Sequence, residues 1–164
     1  MKPNGFVITR WKHTIMEVSK MEKQHTEVQG HIPEIRQTLI LKAPIEKVWN
    51  AVATAEGIAT WFMPSDFQPV KGHEFHLEAG PFGKSPCKVT VIDRPNKLSF
   101  NWGKDWVLTF ELIALEDTTE FTLIHSGWDA DSITEFGETH AIVRDRMAKG
   151  WVGMVDKLRK LVEA

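Results

Sequence analysis

The sequence predicts an α+β fold: a strongly bent antiparallel sheet wrapped around one long C-terminal helix, with two short helices after the first strand. Three observations predict it. Residues 38–64 pass from a β-branched and Leu-rich run into helical spacing, then break into a second short helix. Segments between residues 75 and 125 alternate apolar and polar with period two and are separated by short turns. Finally, Val143, Met147, Trp151, Met154, Leu158 and Leu161 recur at steps of three and four.

Strand one covers about 34–42 and contains the Thr38-Leu39-Ile40-Leu41 run. Pro44 suits the first helical position, where its missing N–H costs nothing. After it, Ile45, Val48, Trp49 and Val52 form one apolar face, giving a helix over about 44–54. Gly57 weakens helix continuity, and Ile58, Trp61 and Phe62 restart the spacing over about 55–62.

The strands follow. Phe75, Leu77 and Ala79 share one face; so do Cys87, Val89 and Val91; so do Leu98, Phe100 and Trp102. Trp106, Leu108, Phe110 and Leu112 form a fourth set, and Phe121, Leu123 and His125 a fifth. Turn chemistry fills the gaps: Gly80-Pro81-Phe82-Gly83, Arg94-Pro95-Asn96, Gly103-Lys104-Asp105 and Glu116-Asp117. Such short gaps make successive strands antiparallel neighbours. One apolar face per strand means a sheet wet outside and covered inside.

The cover is the last segment, a helix over about 141–162 that would be ~30 Å long. Arg144, Arg146, Lys149, Lys157, Arg159 and Lys160 supply its wet side. Gly150 and Gly153 lie inside it, each costing up to ~1 kcal/mol relative to Ala. They mark either a thin spot where a strand or ligand comes close, or tight packing.

A chain of 164 residues suits one domain, and 42% hydrophobic residues suffice for a core. Residues 1–33 lack a sustained period and read as a largely disordered extension ahead of the domain at 34–164, with Met16 and Met21 as alternative starts. A net charge of −2 without a basic patch gives no footprint for nucleic acid. Cys87 is the only cysteine, so no intrachain disulfide forms, which fits a reducing cytosol. Its alternation with Val89 reads as a packed, inert thiol. No apolar run approaches the ~20 residues of a membrane span. A cytoplasmic location is expected.

The residues Ala43-Pro44-Ile45-Glu46-Lys47-Val48-Trp49, Trp61-Phe62, Gly72-His73-Glu74-Phe75, His125-Ser126-Gly127-Trp128 and Gly150-Trp151, taken together, resemble the SRPBCC (START-like, helix-grip) superfamily. Within it they look most like the branch homologous to the C-terminal domain of the activator of the heat shock protein 90 ATPase. Glu56 to Pro64, with Pro81-Phe82-Gly83 and Ser85-Pro86-Cys87-Lys88-Val89, is similar to the YndB-like bacillar, hence bacterial, members. The resemblance covers about 34–162 and implies a helix-grip fold holding a small hydrophobic molecule between sheet and long helix. Fold alone does not choose the chemistry. One departure is an acidic insertion, 129–140, with Asp129, Asp131, Glu135 and Glu138. It reads as a lid over a cavity mouth or as a solvated loop.

The expected ligand-binding set follows from strand parity and the helix face. Phe75, Leu77, Val89, Val91, Phe100 and Trp102 should point one way, together with Leu108, Phe110, Phe121 and Leu123. Met147, Trp151, Met154 and Val155 should point back at them, with Trp61, Phe62 and Trp128 at the margins. Such residues suit an apolar pocket. Plain packing explains the same list, since each buried large side chain contributes roughly 1.5–3 kcal/mol. The chain has seven tryptophans and no tyrosine. Indoles at Trp102, Trp106 and Trp128 fall near strand ends, where they can stack a ring-bearing ligand or simply pack across a turn.

His125 shares the parity of Phe121 and Leu123 and should face inward. There it can donate one hydrogen bond and accept another, orienting a ligand carbonyl or hydroxyl, or it can be a satisfied core histidine. No cofactor or metal is expected: His73 and His76 fall on opposite strand faces. Gly83-Lys84-Ser85 lacks the first glycine of a phosphate loop, and Pro86 blocks the helix that should follow. Glu74 and Glu78 share the wet face of their strand, away from any glycosidase-like site. The leading expectation is binding of a lipid-like or aromatic molecule in a cavity between sheet and helix, without catalysis. The alternatives are a co-chaperone stimulating the heat shock protein 90 ATPase, or a cyclase- or hydrolase-type enzyme using His125 and the acidic loop.

Overall fold

The computed structural model describes residues 32–134 and 137–164. The expected extension at 1–33, with Met16 and Met21, lies almost wholly outside them. The strands are β1 (Ile35–Leu41), β2 (Glu74–Glu78), β3 (Lys84–Asp93), β4 (Lys97–Trp102), β5 (Trp106–Leu115) and β6 (Thr118–Ser126). The helices are α1 (Ile45–Val52), α2 (Ala55–Trp61) and α3 (His140–Glu163).

The strands form one curved antiparallel sheet in the order β1-β6-β5-β4-β3-β2, the helix-grip arrangement. From β2 to β6 the short turns dictate a meander. β1 departs from that rule: it pairs with the last strand, Leu39 opposite Phe121. β1 and β2 therefore lie at opposite edges, and α1 and α2 carry the chain between them.

Local chemistry sets the helix ends. Pro44 is the N-cap of α1, one position earlier than its ring suggests, and its carbonyl accepts from Lys47 N at 3.0 Å. Thr54 caps α2, its Oγ1 accepting from Gly57 N at 3.0 Å. Gly57 does more than interrupt a helix. A Cβ there would lie 2.6 Å from the Asn50 carbonyl oxygen and against that of Ala51, so only glycine permits this approach of α2 to α1. Trp61 Nε1 donates to Ala51 O at 2.9 Å, tying the end of α2 back to α1.

The inner sheet face carries Phe75, Phe100, Phe110 and Phe121 with Leu77, Leu98, Leu108 and Leu112, all fully buried. α3 covers it with Val143, Trp151, Val155, Leu158 and Val162. Arg144 ties α3 to the start of β1, donating to Pro33 O at 2.7 Å. Near the other end of α3, the Glu163 carboxylate accepts from Lys42 N at 2.8 Å.

Two expectations need correction. Val91 does not face inward. The register shifts between Val89 and Val91, and the extra residue of this bulge reverses the parity, leaving Val91 paired with Ser99 and 39% exposed. Gly150 and Gly153 mark neither a close approach nor tight packing, because both are exposed and a Cβ at either would meet nothing within 4 Å.

Asp129–Ala141 groups apart from Pro33–Trp128 and Ile142–Ala164. It bonds to itself: Thr134 N donates to Glu138 O at 2.7 Å, Ile133 bridges Thr139, and Asp129 N donates to His140 Nδ1 at 3.0 Å. Among the described residues, no helix is long and apolar enough to cross a membrane.

Candidate functional site

The inward parity of β6 places His125 beside Leu108 of β5 in the register. On the next strand, Trp102 pairs with Trp106 across the tight turn that Gly103 makes with positive φ. After β6 the chain turns at Gly127, whose φ is +97° and whose missing Cβ makes room for the Asp105 carbonyl. That turn brings Trp128 back, and its Nε1 donates to His125 O at 3.0 Å. The fourth indole comes from α3: Trp151 Nε1 donates to His125 Nδ1 at 3.0 Å.

His125 thus sits in a cage of four tryptophans. Ring centroids lie 5.2 Å away at Trp102, 5.1 Å at Trp106, 4.6 Å at Trp128 and 5.9 Å at Trp151. Phe62, at the end of α2, packs edge-on to Trp102 at 5.6 Å and against Trp151 at 5.1 Å. Trp61 continues the cluster toward Phe110 at 5.6 Å.

The electrostatics of the cage follow from its donors. Indole N–H is a donor only, so Nδ1 of His125 must present its lone pair to Trp151. In the neutral ring the proton then resides on Nε2. His125 is fully buried, and Nε2 has no hydrogen-bond partner among the described residues. Burial, with the Arg144 charge adding to it, pushes the imidazole pKa down to about 3. The ring is neutral at physiological pH, with one lone pair committed and the other nitrogen protonated. It can donate to a buried acceptor, and it offers no free base for proton abstraction. Cys87 is equally unreactive: it is buried, and desolvation pushes its thiol up to about 12.

The sequence-predicted residues separate into three groups. Trp61, Phe62, Trp102, His125, Trp128 and Trp151 meet in the aromatic cluster. Phe75, Leu77, Phe100, Leu108, Phe110 and Leu123 are fully buried on the inner sheet face. Met147 and Met154 are only half-buried on α3, because the buried stripe runs through Val155 and Val162 instead. Trp106, which shares the parity of Leu108 and Phe110 but was not among the expected ligand-binding residues, belongs to the cage through its pairing with Trp102 across a short turn. The described residues line a cleft of about 330 Å³ beside His76, Lys88 and Asn101 and another of about 430 Å³ between α1, α2 and Leu161. Neither is lined by His125 or its four indoles.

A curved sheet gripping a long helix over an aromatic interior defines a START-like, helix-grip protein. The chain belongs to the family described as Activator of Hsp90 ATPase homolog 1-like protein, which matches residues 42–163. It is similar to the protein BH1534 of Bacillus halodurans, with 47% identity, a TM-score of 0.74, and coverage of 82% of this chain and 99% of that one. The Aha1 dimer from Colwellia psychrerythraea shares the fold at 19% identity and TM-score 0.65, over 80% of this chain and 97% of that one. CalU16 from Micromonospora echinospora shares it at 19% identity and TM-score 0.62, over 79% and 75% respectively. Among curated proteins, none matches the chain.

Proposed function

We propose that this protein binds a small hydrophobic, ring-bearing molecule between the sheet and α3, with His125 as its polar contact. The observation that carries the reading is the buried imidazole with one unpartnered nitrogen inside a tryptophan cage. A buried polar group left unpaired costs roughly 1–3 kcal/mol, which a ligand acceptor would relieve. Flat indole faces supply the stacking surface such a ligand needs. Phe62 is half-buried and leans on both Trp102 and Trp151, so its displacement is the simplest way to admit a guest.

The test is titration with a panel of lipids and flavonoid-like compounds, followed by NMR shifts of the Trp151 indole, the Met154 methyl and the Phe110 ring. Saturable shifts at these positions are expected. Saturation that leaves all three unmoved, or no binding across the panel, overturns the reading. The family match over 42–163 also supports a second reading, stimulation of a heat shock protein 90 ATPase. Unchanged ATP turnover of a bacterial chaperone at saturating protein would end that one.

A further inference from the structure

The cage has a polarity that the binding reading alone does not specify. Each indole brings an N–H and no acceptor. Trp151 spends its N–H on His125 Nδ1, and Trp128 spends its own on the His125 carbonyl. The imidazole lone pair is therefore consumed by a residue of α3, and what remains toward the unpartnered side is an N–H. We propose that Trp151 fixes His125 as a hydrogen-bond donor, so that the site selects ring-bearing ligands with a neutral carbonyl oxygen over the matching alcohols, carboxylates and hydrocarbons. This rests on the binding reading above.

Each competitor fails for a distinct reason. A hydrocarbon leaves Nε2–H unpaired, as it is without ligand. An alcohol accepts from Nε2–H but must leave its own proton without an acceptor among the imidazole and indoles. A carboxylate pays the desolvation of a full charge in an apolar site facing a neutral ring. A ketone, quinone or ester carbonyl accepts one bond and carries no donor that needs a partner. Trp151 is thus a positioning residue: it acts on the ligand through the protonation site of His125.

The experiment uses 2-acetylnaphthalene, 1-(2-naphthyl)ethanol, 2-naphthoate and 2-ethylnaphthalene, titrated calorimetrically into the full chain. The ketone is expected to bind about tenfold tighter than each of the others. His125→Phe should abolish the ketone's advantage over the hydrocarbon. In wild-type protein with 15N-labelled histidine, the His125 ring should appear as the Nε2–H form, and its Nε2 signal should move when the ketone is added. This last measurement needs no variant to fold. Equal affinity for ketone and hydrocarbon, an Nδ1–H ring, or an Nε2 signal unmoved by bound ketone overturns the donor assignment, while saturable binding of any of these compounds keeps a ring-bearing ligand between the sheet and α3. Failure of every one of these compounds and of the wider panel to bind overturns both.

Discussion

Trp151 of α3 and His125 of β6 share one hydrogen bond, Nε1 to Nδ1 at 3.0 Å, across the interface between helix and sheet. It is a polar bond between two buried side chains, in an interior built mainly from rings and aliphatic chains. Buried polar pairs of this kind contribute little net energy while intact and cost much when one member is lost.

Trp151→Phe should therefore destabilise the protein by about 1–3 kcal/mol beyond the loss of ring area, because Nδ1 is left without its donor. Combining it with His125→Leu should recover part of that cost, since an apolar pair leaves nothing unsatisfied. Urea unfolding of the single and double variants measures both. Strictly additive losses would mean that the bond contributes nothing to the coupling between α3 and β6.

The pH dependence has a definite sign. The folded-state pKa of His125, about 3, lies below the ordinary histidine value of 6.5. Between these two values the unfolded chain binds the proton and the folded one does not, so acid favours unfolding. Full stability from this group is present above about pH 6.5 and declines by up to about 1.4 kcal/mol per pH unit toward pH 3. His125→Gln should flatten the decline. Denaturation midpoints at several pH values between 7.5 and 4.5 test this, and parallel curves for wild type and variant would refute it.

Glycines at three positions should respond in opposite directions to the same change. Gly57→Ala places a Cβ against backbone carbonyls of α1 and should cost about 1–3 kcal/mol. Gly150→Ala and Gly153→Ala add a Cβ into open space on a helix and should each gain up to about 1 kcal/mol. Thermal unfolding of the three variants is the measurement. A loss at position 150 or 153 would show that this face of α3 is used in a way the isolated chain does not reveal.

Much of this architecture was legible in the sequence because most of it is set by period and punctuation. Phe75 and Leu77, or Leu98, Phe100 and Trp102, announce an inner face by alternation alone, and the turns between strands are short enough to force the meander. Val91 escaped because a bulge adds one residue without a distinctive sequence mark, and parity counted through it comes out reversed. On the helix, Val143, Trp151, Val155 and Leu158 of the expected face are buried, whereas Met147 and Met154 fit the spacing equally well but are half-buried, and only packing distinguishes them. His125 was legible as an inward residue but not as a donor, since that property depends on Trp151, distant in the chain. Trp106 was legible by parity as an inward residue, but its contact with His125 depends on the pairing of β5 with β6.

The placement of β1 and β2 at opposite edges has a consequence for biosynthesis. Among the six strands, β1 leaves the ribosome first and its hydrogen-bonding neighbour β6 last. Until then Leu39 and Leu41 have no sheet to join, while the hairpins from β2 onward can assemble from neighbours already in hand. The nascent chain therefore carries an unclaimed greasy segment while β2 to β5 are made, and the final closure of the sheet joins its earliest strand to its latest.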